Sequence, residues 1–180
     1  MANLLTAMRL LLVVPVSWAF ADPQLLTPPL LVAFLFIAIA TDYFDGKVAR
    51  ATHTESARGM LFDHGTDFIF VTSALAAMAS VDVIHPLLPF LIIIAFSQYV
   101  LDSYFLFRQK QLRMSFLGRW NGIFYFVPLL CIAASRLEFL ASLASSLREV
   151  TELLGLALIL STVASIIDRG LAPLHSVVQK

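Results

Sequence analysis

Residues 42–67 of this 180-residue chain read DYFDGKVARATHTESARGMLFDHGTD and contain two groups of aspartates at helical spacing. Asp42 and Asp45 are spaced i, i+3, and Gly59, Asp63 and Asp67 are spaced i, i+4, i+8. On helices, both spacings place their members on one face. Four carboxylates that converge from two adjacent helices repel one another unless positive charge lies between them. The stretch therefore predicts the end of one helix, the start of the next and a site for two divalent cations.

The rest of the chain is strongly apolar. Hydrophobic residues make up 59% of it and charged residues 13%, whereas soluble domains have roughly 45–50% and about 25%. These residues cannot supply the polar exterior of a soluble bundle, so we predict an all-α polytopic membrane protein that forms a single domain over residues 1–180. The zero net charge gives no reason to expect a nucleic-acid partner.

Six apolar segments predict six transmembrane helices of about 20 residues each, at residues 3–21, 25–50, 57–81, 86–107, 119–136 and 150–167. Thr27 and Pro28 have the pattern of an N-cap followed by a first helical proline, which would start the second helix. The second and third segments reach membrane-spanning length only if their aspartates are included. The acidic site is therefore predicted at one edge of the membrane.

The basic residues predict which edge this is. Ten lysines and arginines fall on the aspartate side, and only Arg136 and Arg148 fall on the other. This bias predicts that the aspartates and both termini are cytoplasmic. Arg9, the apolar run after it and the small residues Ala19 and Ala21 also fit a cleavable signal peptide. We prefer a first transmembrane helix, because Arg9 belongs to a second motif.

The pattern D-x2-D-G-x2-A-R-x8-G-x3-D-x3-D is complete over residues 42–67. It resembles the signature of the CDP-alcohol phosphotransferases, and the opening residues 3–9 resemble the N-x-[LI]-T-x2-R start of that family. The resemblance implies that an alcohol hydroxyl displaces CMP from a CDP-linked lipid. It also implies contact with membrane lipids and a second copy of the chain as a partner, since members are often homodimers.

The resemblance further implies roles for individual residues. Asp42, Asp45 and Asp63 would hold two divalent ions, Mg2+ or Mn2+, and Asp67 would contact this metal site and act as general base on the acceptor hydroxyl. The cytidine diphosphate site would be lined by Thr6, Asp42, Gly46, Ala49, Arg50 and Gly59. The chemistry agrees, because two metal ions can clamp the attacking and leaving oxygens of a phosphate and an arginine can bind phosphate oxygens bidentately.

The acceptor alcohol is less well defined by the sequence. The chain length is similar to that of bacterial phosphatidylglycerophosphate synthases, which implies the bacterial inner membrane, CDP-diacylglycerol as donor and glycerol 3-phosphate as acceptor. The run Phe62-Asp63-His64-Gly65 instead resembles choline and ethanolamine phosphotransferases. Arg108, Arg113 and Arg119 are candidates for binding an acceptor phosphate, and a basic cytoplasmic loop beside anionic lipids is the alternative for them.

Three other functions fit the sequence less well. An ion-coupled transporter also has acids within membrane helices, but its site usually lies near the bilayer midplane in paired repeats, and no second acidic set occurs here. A prenyl transferase binds a diphosphate through D-D-x-x-D-like clusters, but this chain has no adjacent aspartate pair. A noncatalytic scaffold would leave the four carboxylates unexplained.

Overall fold

The computed structural model describes residues 2–51, 57–102 and 116–178, except for the side chains of residues 2–4, 45–46, 48–51, 57–58 and 172–178. Every regular element in these ranges is helical, which confirms the all-α prediction. The elements are α1 (Ala2–Ala21), α2 (Pro28–Ala51), α3 (Ala57–Ser80), α4 (Leu87–Leu101), α5 (Phe116–Phe124), α6 (Phe126–Ser135), a 3-10 helix (Glu138–Leu143) and α7 (Ala144–Val178).

The second helix begins where its sequence predicts. The carbonyl oxygen of Thr27 accepts hydrogen bonds from the backbone N–H groups of Leu30 and Leu31, both at 3.0 Å. Pro28 is the first helical residue, a position at which the missing N–H of proline costs no helical hydrogen bond. The predicted span 25–50 therefore began three residues too early, because residues 25–27 precede the helix.

The predicted fifth span, residues 119–136, corresponds to the apolar helical segment Phe116–Ser135, which one turn residue, Tyr125, divides into α5 and α6. The N–H of Tyr125 still donates to the Asn121 carbonyl at 2.9 Å, but α5 ends at Phe124 and α6 begins at Phe126. Pro128 explains this break, because it has no N–H for the carbonyl of Phe124 and its ring crowds that carbonyl.

The last helix is longer than the predicted segment 150–167. It continues through polar residues at both ends, including Arg148 and Asp168. The predicted fourth span, residues 86–107, begins one residue before α4, and its last residues lie outside the described part of the chain.

The first three helices pack together around α1. This helix makes its most extensive contacts with α3 and α2. Its fully buried residues Val16 and Phe20 belong to the same core as Leu35 on α2 and Leu75 on α3. At the C-terminal end of α1, Arg136 donates to the carbonyl oxygens of residues 19 and 20 at 2.6 and 3.1 Å. These bonds satisfy carbonyl groups that a helix end leaves without partners.

The other helices complete a bundle with an internal cavity. α7 packs against α4, α5 and α6, and α2 and α3 contact this second group through α6 and α4. A cavity of about 710 Å³ lies between the two groups and is lined by residues of α2 to α7.

Two helical segments are long and apolar enough to cross a membrane, Phe116–Ser135 and Glu138–Leu171. Three shorter apolar segments are Leu5–Ala21, Pro28–Phe44 and Leu87–Leu101. Large apolar side chains are exposed along several of these helices, with Leu11 at 77% and Leu160 at 72% of their full accessible area. Many exposed large apolar side chains on one protein are typical of surfaces that contact lipid or another protein.

Candidate active site

Three carboxylates meet at one end of the cavity. Asp42 comes from the C-terminal half of α2, and Asp63 and Asp67 come from successive turns of α3. One oxygen from each of the three lies within 4.8 Å of the others. All three side chains are partly buried and line the cavity. Carboxylate oxygens at this separation are the ligands that Mg2+ and Mn2+ prefer, so the donor set fits a divalent ion.

A buried arginine lies among these carboxylates. Arg9, on α1, has no solvent-accessible surface, and its guanidinium donates to Asp42 Oδ1 at 3.1 Å and to Asp63 Oδ1 at 2.9 Å. It also contacts Asp67. The cluster is therefore held by three helices and contains at least one positive charge of the protein itself.

Among the other predicted site residues, Thr6 lies on α1 and is 2% exposed, and Gly59 lies partly buried in the first turn of α3. Arg119 is on α5, lines the cavity and is exposed. Asp45, Gly46, Ala49 and Arg50 lie within α2, but their side chains are outside the described part of the chain. Arg108 and Arg113 lie outside the described residues altogether.

The cavity has a polar end and a largely apolar wall. Beyond Asp67, its lining includes Phe68, Val71, Ile92, Phe96, Phe126 and Leu130. On the side formed by α5 and α7, the polar lining residues include Arg119, Asn121 and Arg169. A charged headgroup with an attached hydrocarbon chain can satisfy both parts of this surface.

A chain of polar contacts connects the aspartate end of the cavity to α7. His64 Nδ1 lies 2.9 Å from the hydroxyl oxygen of Tyr99, and the Arg169 guanidinium lies 5.0 Å from the centre of the Tyr99 ring. Arg169 Nη1 is also 3.9 Å from Asp102 Oδ2. His64, which follows Asp63 in the chain, is thus hydrogen-bonded to Tyr99.

Sequence reasoning placed Arg9 in a family motif at the aspartate side but gave it no role in the site, and it missed the positions of Tyr99, Asn121 and Arg169. For Arg9 a signal existed, because it is the only charged residue among the first 21 and follows Thr6 by three residues. Asn121 is 4% exposed and accepts a hydrogen bond from Ser161 Oγ at 2.6 Å. For Tyr99, Asn121 and Arg169 no local motif signals a role, since they reach the cavity through packing between helices.

The model of one known protein family covers most of the chain. The model of the CDP-alcohol phosphatidyltransferases matches residues 1–167 of the chain. The chain belongs to this family. No curated protein and no solved structure matches the chain.

As a CDP-alcohol phosphatidyltransferase, it is a transferase of phosphate-containing groups that acts on a CDP-linked substrate and an alcohol acceptor and releases CMP. The family acts in phospholipid biosynthesis, is divalent-metal dependent and consists of membrane proteins.

We expect Asp42→Asn and Asp63→Asn each to lower the rate of CMP release by on the order of 100-fold or more, because each removes a charged oxygen ligand from the cluster. The rate is measured on purified protein with saturating Mn2+. Asp82→Asn is the matched control, since Asp82 lies in the exposed α3–α4 turn with φ 59° and asparagine tolerates that conformation. Near-normal turnover of Asp63→Asn would contradict a metal-ligand role.

Proposed function

We propose that this CDP-alcohol phosphatidyltransferase transfers the phosphatidyl group of CDP-diacylglycerol to a small polar alcohol, with glycerol 3-phosphate as the acceptor. One observation carries the proposal: three carboxylates lie within 4.8 Å of one another at the end of a cavity of about 710 Å³ whose wall is largely apolar. The carboxylates suit a metal-bound pyrophosphate, and the apolar wall suits the attached diacylglycerol.

In this proposal the aspartates divide into ligands and a base. Asp42, Asp45 and Asp63, with Asp67 beside them, hold divalent ions, Mg2+ or Mn2+. Bound there, the ions neutralise the pyrophosphate and polarise its phosphorus–oxygen bonds. Thr6, Asp42, Gly46, Ala49, Arg50 and Gly59 line the cytidine diphosphate site.

The transfer itself exchanges a phosphoanhydride bond for a phosphate ester bond. The acceptor hydroxyl oxygen attacks the phosphorus that bears diacylglycerol, and its proton passes to the Asp67 carboxylate. The bond from that phosphorus to the bridging oxygen breaks, and CMP leaves with that oxygen. Asp67 suits the role of base because it lines the cavity one turn after Asp63.

Asp67→Asn tests this division of roles. An asparagine cannot accept the proton, so we expect turnover to fall by about 10²–10⁴-fold while the affinity for CDP-diacylglycerol changes little. Turnover and donor binding are measured separately on the same preparation, with Asp82→Asn as control. Equal losses of turnover and donor affinity would make Asp67 a simple ligand and require another base.

The charge of the cavity favours a phosphorylated acceptor over an aminoalcohol. Two guanidinium groups, those of Arg119 and Arg169, line the wall formed by α5 and α7. A phosphate carries about two negative charges and is bound strongly by arginine, whereas the ammonium of choline or ethanolamine would be repelled. Arg108 and Arg113 are proposed to add to this acceptor site.

The experiment that tests the acceptor uses two reaction mixtures. The first contains purified protein, Mn2+, CDP-diacylglycerol and one alcohol from a panel of glycerol 3-phosphate, inositol, serine, choline and ethanolamine. The second contains CDP-choline or CDP-ethanolamine with diacylglycerol. We expect CMP release and a lipid product only with CDP-diacylglycerol and glycerol 3-phosphate. Product in the second mixture alone would replace this function with an aminoalcohol phosphotransferase.

In the same assay, Arg119→Ala should raise the acceptor KM on the order of tenfold or more and leave the donor KM nearly unchanged, because a charge-assisted hydrogen bond to the acceptor phosphate is lost. Arg148→Ala is the matched control, since Arg148 is an exposed arginine in the first turns of α7 and does not line the cavity. Equal changes in both KM values would remove Arg119 from the acceptor site.

The proposed setting is the bacterial inner membrane, with six spans, both termini cytoplasmic and the chain as a single domain and homodimer. Here α5 and α6 together form the fifth span. The two apolar segments of membrane-spanning length and the exposed apolar side chains support a membrane location, and the distribution of basic residues supports the orientation.

Cysteine labelling tests the orientation. In a Cys131→Ser background, Gln24→Cys lies in the exposed α1–α2 loop and Lys47→Cys on an exposed position of α2. We expect a membrane-impermeant maleimide to label Gln24→Cys in intact spheroplasts and Lys47→Cys only after lysis. The opposite pattern would invert the topology.

A further inference from the structure

Arg9 is a charged residue in a place where an unpaired charge is not tolerated. It has no accessible surface, and a buried guanidinium without partners would cost several kcal/mol. Its partners are the three aspartates, with Nη1 3.1 Å from Asp42 Oδ1 and Nη2 2.9 Å from Asp63 Oδ1. Both contacts are within the range of charge-assisted hydrogen bonds.

The carboxylates need a positive partner, just as the buried Arg9 needs negative ones. Three ionised carboxylates whose oxygens lie within 4.8 Å of one another repel one another, and at partly buried positions such as these the repulsion is stronger than in bulk water. One guanidinium reduces the charge of this described cluster from −3 to −2. It also joins α1 to α2 and α3, because the two hydrogen bonds connect residues 33 and 54 positions apart.

We propose that Arg9 is the resident counter-ion of the carboxylate cluster: it stabilises the cluster when no divalent ion is bound, and it competes electrostatically with divalent ions for the same carboxylates. The inference rests on the proposed metal centre and concerns a residue for which that function assigns no role. Arg9 thereby limits how strongly the site retains a metal ion and keeps the helices assembled before the ion binds.

Thermodynamic coupling predicts the direction in which Arg9 changes the metal affinity and the stability of the protein. A ligand that binds only the folded protein stabilises it, and at a given ligand concentration the stabilisation increases with the logarithm of the affinity. A group that stabilises the metal-free site weakens metal binding by the same coupling free energy. Removal of Arg9 should therefore destabilise the metal-free protein most, increase the stabilisation by metal, and strengthen metal binding.

The test compares four forms of the full chain, purified in detergent: wild type, Arg9→Gln, Arg9→Lys and Arg136→Gln. Arg136 is the matched control, because it also connects α1 to a distant helix through two hydrogen bonds from its guanidinium. It does so at residues 19 and 20, roughly 15 Å along α1 from Arg9. The midpoint of thermal unfolding is measured in EDTA and in saturating Mn2+, and free Mn2+ is measured by electron paramagnetic resonance.

In EDTA, Arg9→Gln should unfold about 5 °C or more below wild type, and saturating Mn2+ should restore most of that difference. Its Mn2+ affinity should be on the order of tenfold higher than that of wild type. Arg9→Lys should lie between the two, because an ammonium keeps the charge but cannot reach all three carboxylates as a planar guanidinium does. Arg136→Gln should lose the same stability in both conditions and bind Mn2+ as wild type does.

Two outcomes overturn the proposal while leaving the metal centre intact. One is an equal loss of stability in EDTA and in Mn2+ for the Arg9 variants, as for Arg136→Gln. The other is Mn2+ affinity in the Arg9 variants that equals or falls below that of wild type. If Arg9→Gln does not fold, Arg9→Lys decides between the same outcomes. Wild-type protein that neither binds Mn2+ nor is stabilised by it would refute the proposed metal centre, and the inference with it.

Discussion

Three carboxylates lie within 4.8 Å of one another, and the helices around them are arranged so that this repulsion is compensated. Two like charges about 4 Å apart repel by roughly 4 kcal/mol at an effective dielectric constant of about 20. Arg9 compensates part of this repulsion, but only because α1 packs closely against both α2 and α3. The small buried residues Ala19, Ala38 and Ala74, one on each helix, permit that close packing. The charge balance of the site therefore depends on the packing of the first three helices.

The second group of helices, α4 to α7, shapes the cavity and contributes the positively charged residues that line it. The break before Pro128 separates α5, which contributes Arg119 and Asn121, from α6, which contributes Leu130 to the apolar wall. α5 is then fixed to α7 by the hydrogen bond from Ser161 to Asn121 at 2.6 Å. The Tyr125 hydroxyl adds a second connection, 2.7 Å from Thr162 Oγ1. These two bonds hold α5, which carries Arg119, against α7, which carries Arg169.

The sequence predicted those features that depend on the geometry of one helix. Spacing alone predicted that Asp63 and Asp67 share a face, and Thr27 and Pro28 predicted the start of α2. Spacing could not predict that Arg9 would contact Asp42 and Asp63, which lie 33 and 54 positions away. Periodicity shows which residues share a face of one helix, but it does not show which other helix packs against that face. The contact of His64 with Tyr99, 35 positions away, was beyond reach for the same reason. Pro128 indicated a disturbance of this helical segment, and it lies four residues after Phe124, where α5 ends.

The acidic and basic residues that line the cavity favour different binding positions for the donor and the acceptor in the proposed reaction. The acidic cluster on α2 and α3 repels both substrates, so an anionic donor can approach it only with divalent ions between them. The basic wall on α5 and α7 attracts an anionic acceptor without metal. If the acceptor carries a phosphate, as proposed, Arg119 and Arg169 would bind that phosphate while the metal-bound cluster binds the donor. The proposed site would then orient the acceptor hydroxyl through the charge of the acceptor, a contribution to rate that binding alone would not supply.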